Sequence, residues 1–107
     1  MNIDNTKAQM RKGILELCIL STINKKAQYS SEILNQLKAS QLLVVEGTLY
    51  PLLTRLKNAE LLAYRWEESK SGPPRKYFTI TEKGKDTLEE LTASWKTLST
   101  AVEHLTN

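Results

Sequence analysis

Cysteine and histidine each occur once in the 107 residues, as Cys18 and His104. An intrachain disulfide is therefore excluded, and so is a zinc centre built from Cys and His ligands. A nucleophilic device that needs an imidazole would have to use His104, close to the C-terminal end, where no closed pocket is expected. Long apolar runs are also missing. The best is Ile14 to Leu20, broken by Glu16 and far too short to span a bilayer. No small-residue cleavage site follows it, so neither signal peptide nor membrane anchor is expected. Cys18 sits among Leu17, Ile19 and Leu20 as a small core residue would, and a lone thiol fits a reducing, cytoplasmic setting. These absences speak against an enzyme, and no cofactor is expected.

What is present is ordinary globular material, 40% hydrophobic and 25% charged, with length for one core. The charge is unevenly placed. Residues 1–85 hold 14 Lys and Arg against 8 Asp and Glu, whereas residues 86–107 hold only Lys96 against Asp86, Glu89, Glu90 and Glu103. A basic body beside an acidic terminal segment implies one surface facing an anion and another facing something else.

Periodicity marks four helices and one hairpin. The first helix is expected from about Asp4 to Ile23, apolar on nearly every side in its second half, and hence central or shared with another subunit. The second starts near Ser30 or Ser31, where a hydroxyl can cap free N–H groups, and continues through Ile33, Leu34 and Leu37. The third runs from Glu46–Gly47 to near Ala59. Its Leu49, Leu52, Leu53 and Leu56 form an inward stripe, while Gly47, Thr48, Pro51, Thr54, Arg55 and Asn58 face out, with Tyr50 at the edge. That outer face has hydroxyls, one guanidinium and no carboxylate. Pro51 near the first turn predicts a tight or 3₁₀ opening.

From Leu61 the period becomes two. Leu62, Tyr64 and Trp66 alternate with Ala63, Arg65 and Glu67 as in a strand, Lys70 to Arg75 reads as a Gly- and Pro-rich loop, and Lys76 to Ile80 is the returning strand. Thr81 is the expected N-cap of the last helix, with Gly84 a cost in its first turn. Leu88, Leu91, Trp95, Leu98, Val102 and Leu105 then repeat at heptad-like spacing, a stripe longer than one small core needs and suited to a partner.

Helix, helix, polar-faced helix and basic-tipped hairpin is the order of a winged helix-turn-helix. A helix about 10–12 Å across fits a B-DNA major groove about 12 Å wide. A loop carrying Lys70, Arg75 and Lys76 can lie along phosphates or enter the minor groove beside it. The fold expected is mainly α with a small β-hairpin: residues 1–80 as the winged helix-turn-helix and residues 81–107 as a long C-terminal dimerisation helix.

Five separated segments resemble the PadR-like transcriptional regulators. They are Gly13-Ile14-Leu15-Glu16-Leu17, the run from Glu46 through Gly47-Thr48-Leu49-Tyr50-Pro51 to Leu56, Trp66-Glu67-Glu68, Gly72-Pro73-Pro74-Arg75-Lys76-Tyr77, and Thr79-Ile80-Thr81-Glu82-Lys83-Gly84. The resemblance implies a homodimer, built mainly by the last helix with help from the first, that binds a pseudo-palindromic double-stranded operator and usually represses. It looks like the compact subgroup with a single dimerisation helix. One departure is plain. Where the family has Gly-Tyr-Glu-Ile, this chain has Ser30-Ser31-Glu32-Ile33, so Ser31 offers only a short hydroxyl contact and Tyr29 is expected to face elsewhere.

The residues expected at DNA are thus Ser31, Thr48, Tyr50, Thr54, Arg55, Lys70, Arg75 and Lys76. Arg55 is the one expected to reach a guanine edge or a phosphate, and Thr48 and Tyr50 to hold phosphates. Lys7, Arg11, Lys12, Lys25 and Lys26 read as ordinary surface. Leu91, Trp95, Leu98 and Val102 are expected at the dimer interface, where two facing indoles could sandwich a planar apolar effector. The competing reading is a winged-helix protein-interaction module without specific DNA binding.

Overall fold

The computed structural model describes residues 1–107 and contains five helices and one two-stranded antiparallel sheet. The helices are α1 (Ile3–Lys12), α2 (Leu15–Lys25), α3 (Ser30–Ala39), α4 (Glu46–Asn58) and α5 (Glu82–Thr106); the strands are β1 (Leu62–Ser69) and β2 (Gly72–Ile80). The chain is mainly helical, with the hairpin standing between α4 and α5 as a wing. No helix is long and apolar enough to cross a membrane.

The expected first helix is two helices. Gly13 and Ile14 form a turn in which the Ile14 N–H donates to the Arg11 carbonyl, and the α-helical ladder restarts at Leu15. The break separates two environments. α1 buries nothing, whereas α2 buries Leu15, Ile19, Leu20 and Ile23. Around α2 pack Ile33 and Leu37 of α3, Leu49, Leu53 and Leu56 of α4, Leu62 and Phe78 of the wing, and Leu88 of α5.

Two helix ends fix the path into and out of α4. Gln41, after α3, has φ 68°, and Glu60, after α4, has φ 65°. In each case the residues just beyond the end fold back on it: Leu42 N–H donates to the Leu37 carbonyl at 2.8 Å and Leu61 N–H to the Leu56 carbonyl at 3.0 Å. Both are Schellman closures made without glycine. α4 opens with a tight turn, since the Thr48 N–H donates to Val45 at 3.0 Å, and Pro51 sits one turn further in.

At its far end α4 is tied to α5. The Thr81 hydroxyl donates to the Glu60 carbonyl at 2.7 Å and accepts from the Gly84 N–H at 2.9 Å, capping α5. Gly84 is no mere cost there. A Cβ at this position would lie 2.1 Å from the Leu61 carbonyl oxygen and 2.7 Å from Ile80 Cγ1. Only glycine lets α5 approach the end of α4 so closely.

The wing is longer than expected. β2 begins at Gly72 rather than Lys76, so only Lys70 and Ser71 form the turn. Glu67 pairs with Arg75 and Ser69 with Gly72, which leaves Pro73 and Pro74 opposite Glu68 alone. A bulge is where a strand tolerates proline, because the ladder bond it cannot donate is already interrupted.

Candidate nucleic-acid interface

α4 presents its leucines to the core and leaves Thr48, Tyr50, Thr54 and Arg55 exposed. Between its outer face, the start of α3 and the wing lies a groove of about 570 Å³. It is lined by Tyr29, Ser30 and Ser31 from α3 and its cap, Tyr50, Leu53 and Thr54 from α4, and Arg75, Lys76 and Phe78 from β2. Two apolar residues floor it, hydroxyls and two cations rim it, and no carboxylate faces it. The Ser30 and Tyr50 hydroxyl oxygens lie 3.4 Å apart across it.

Tyr29 does not face elsewhere. An isolated bridge joins Gln28 to Phe78, with N–H···O distances of 3.1 and 2.9 Å in the two directions, and this draws the start of α3 against β2. Neither serine caps α3; the Tyr29 N–H instead donates to the Glu32 carboxylate at 2.9 Å. The Tyr29 ring meets Tyr77 edge-on at 4.7 Å, and the Arg75 guanidinium lies over it at 5.3 Å. Arg65 stacks on Tyr77 at 4.6 Å, while the Glu67 carboxylate accepts from Arg65 Nε at 3.0 Å and from the Tyr29 hydroxyl at 3.3 Å. Partial burial and the adjoining Glu67 charge push the Tyr29 hydroxyl above its ordinary range. This ladder of rings and charges holds Arg75 at the groove mouth with no carboxylate of its own. Burial likewise raises the Cys18 thiol above its ordinary range.

The residues expected at DNA therefore fall in separate places. Ser31, Tyr50, Thr54, Arg75 and Lys76 share the groove. Thr48 stands at the N-terminal turn of α4, in a second cleft with Gly47, Pro51, Arg11 and Lys12. Arg11 and Lys12, read as ordinary surface, thus adjoin the positive end of the α4 dipole. Lys70 occupies the wing tip. Arg55 turns the other way, 3.4 Å from the Glu16 carboxylate of α2.

Arg55 and Glu16 border a third cavity of about 360 Å³, whose apolar walls include Leu91, Trp95 and Leu98. Val102 lies further along α5, outside it. Beyond Leu88 the stripe emerges from the body: Trp95 is 44% exposed, Leu98 61%, Val102 55% and Leu105 86%.

Sequence reasoning missed Tyr29, Ser30 and Arg65. Their signal lies in pairings remote along the chain, Gln28 with Phe78 and Arg65 with Tyr77, which no local period reveals.

Comparison with known proteins adds the following. A family model described as the transcriptional regulator PadR-like family matches residues 19–90. A PadR-like transcription factor from Bacteroides fragilis is 57% identical, with 94% of this chain and 98% of that one covered and a TM-score of 0.79. A PadR-like transcriptional regulator from Bacillus cereus is 42% identical over 91% and 95% of the two chains, with a TM-score of 0.80. A PadR family transcriptional regulator from Eggerthella lenta is 31% identical over 96% and 90%, with a TM-score of 0.88.

Proposed function

The chain belongs to the PadR-like family of transcriptional regulators, and from that premise we propose that two copies bind one pseudo-palindromic operator and repress from it. Regulators of this family are DNA-binding proteins and not enzymes. In this reading residues 1–80 are the DNA-binding body and residues 81–107 the dimerisation helix, whose first turns also close the core. α4 enters the major groove, the wing lies on the neighbouring backbone, and the protein works in the cytoplasm beside its DNA.

The observation that carries the reading is the groove itself. Ser31, Tyr50, Thr54, Arg75 and Lys76 converge on it from three elements without a single carboxylate. Such a surface offers donors and positive charge to phosphates and base edges, and little to a neutral partner. The dimer rests on the α5 stripe. Covering an exposed leucine or valine is worth about 1.5–3 kcal/mol, and a two-fold mate of α5 would cover Trp95, Leu98, Val102 and Leu105 together. Two Trp95 indoles brought face to face would admit a planar apolar effector that releases the operator.

Selection of bound duplexes from a random library tests this directly. One sequence should emerge with two half-sites about 10–10.5 base pairs, or a multiple of that, apart. Its affinity should fall steeply with salt. Binding no better than to random duplex at moderate salt would leave the protein-interaction module as the better account.

A further inference from the structure

The cleft that holds Thr48 differs in chemistry from the groove at the wing. It has a volume of about 480 Å³ and lies between the second half of α1, the connection from α3 to α4, and the first turns of α4. α1 buries no residue, so neither helix fills the space between them. Leu15 of the wall is buried and Val44 and Leu52 are half-buried, while Leu43 and Val45 are 71% and 67% exposed. Every apolar side chain here is aliphatic. None of the 11 lining residues is aromatic and none is a carboxylate, whereas the wing groove and the Trp95 cavity both hold rings. Arg11 and Lys12 line the cleft and are exposed. Neither is in an ion pair, because the chain's pairs are Arg55 with Glu16, Arg65 with Glu67, and Lys85 with Glu82. Glu46, the acid of the first α4 turn, is exposed and lies outside the lining.

We propose that this cleft binds an unbranched aliphatic carboxylate of medium chain length, and that the bound anion weakens the hold of α4 on its operator. The chain lies against Leu15, Leu43, Val44 and Leu52, and the carboxylate meets Arg11, Lys12 and the Thr48 hydroxyl. The regulatory half rests on the DNA-binding reading; the binding half does not. Three features select this ligand. A wall without rings gives a flat aromatic nothing to stack on, yet it covers methylene groups well. Two cations without carboxylate partners favour an anion over an alcohol or an amine. The volume also falls within the range of about 300–1,000 Å³ usual for small-molecule sites, whereas a partner helix needs a long groove that takes anchors over two turns. Thr48 supplies the link to DNA, since it stands in the first turn of α4. A carboxylate held there sets negative charge where the helix would meet phosphates, and like charges repel.

Calorimetric titration of the full chain with decanoate, decanol and decyltrimethylammonium, each below the concentration at which it aggregates, tests the binding half without any DNA. One decanoate should bind per chain, at least about tenfold more tightly than either of the other two. Amide resonances should shift together in Ala8–Leu15 and Leu43–Leu52. Replacing both cations, Arg11→Gln with Lys12→Gln, should remove the preference for decanoate over decanol. Leu43→Ser, at an exposed position, should weaken both ligands. Equal affinity for decanoate and decanol, shifts centred on Leu91 and Trp95, or binding only to a Leu98→Glu monomer would each overturn the site; the last would mean that a second copy fills the cleft. Saturating decanoate should then weaken binding of the selected duplex about tenfold. Decanoate that occupies the cleft while duplex affinity stays unchanged overturns the regulatory half. Wild-type protein that takes up decanoate but prefers no duplex overturns the DNA-binding reading and leaves the site standing.

Discussion

The Arg55 guanidinium lies 3.4 Å from the Glu16 carboxylate, so the one arginine of α4 turns toward α2 and away from the groove. Both side chains remain partly solvated, and a pair of this kind contributes at most about 1 kcal/mol. Glu16→Gln should therefore leave the melting temperature nearly unchanged and free Arg55 to reach a phosphate. Operator affinity at low salt should rise about threefold to tenfold, and the salt slope should steepen by about one contact. Unaltered affinity and slope in a titration against salt would mean that Arg55 plays no part at DNA.

Arg75 has no carboxylate in an ion pair with it. Arg75→Ala should weaken all duplexes alike and shallow the salt slope by about one. Because the Tyr29 ring lies under the guanidinium, Tyr29→Ala should produce much of the same loss, measured by fluorescence anisotropy with specific and random duplexes. Loss confined to the specific duplex would show base reading instead.

Tyr29 also predicts an alkaline limit. Its hydroxyl is raised in the folded protein, so the protonated form is favoured by folding. That stability is fully present below the ordinary tyrosine range and disappears as pH climbs through the raised folded value, when a phenolate faces Glu67. Thermal melts in buffers of rising alkalinity should show a steeper decline for wild type than for Tyr29→Phe. Parallel declines would remove the Tyr29–Glu67 contact as the cause.

Gly84 should tolerate no side chain. An added methyl would gain about 1 kcal/mol of helix propensity, yet it would sit against the Leu61 backbone, which cannot move without undoing the end of α4. Gly84→Ala should destabilise the fold by about 3 kcal/mol in urea unfolding, and operator binding should weaken with it. Stability equal to wild type would show that α5 can slide away freely.

Leu98 stands clear of the core, so its replacement separates assembly from folding. Leu98→Glu should give a monomer by sedimentation, with unchanged far-ultraviolet dichroism and operator affinity reduced at least a hundredfold. A persistent dimer would place the interface elsewhere.

Much of the architecture was legible because it is periodic. The leucines at 49, 52, 53 and 56 locate α4 and orient it, the alternation from Leu62 finds β1, and Thr81 marks the start of α5. The departures have a common physical origin, since each depends on a neighbour distant in sequence. Gly13 breaks a helix because only the second part, from Leu15, has a core to enter. Pro73 and Pro74 belong to a strand because a bulge opposite Glu68 excuses their missing donors. Gln41 and Glu60 take left-handed backbone that sequence would assign to glycine, held there by the helix ends they close. Of the expected site residues, Tyr50 and Thr54 follow from the outer face of α4, whereas Arg75 and Lys76, expected at a loop tip, lie within β2. The turning of Arg55 toward Glu16, and of Tyr29 into the groove, required contacts across the fold.

The paired prolines of the wing also bear on how such an appendage survives in a crowded cell. A protruding two-stranded ribbon is an invitation to polymerise, because its rims can recruit extended segments from other chains. Here Gln28 closes the inner part of one rim by pairing with Phe78, and Pro73 and Pro74 leave its outer part without donors. The opposite rim carries charged Arg65 and Glu67. The protruding hairpin is thereby kept from knitting itself into fibres.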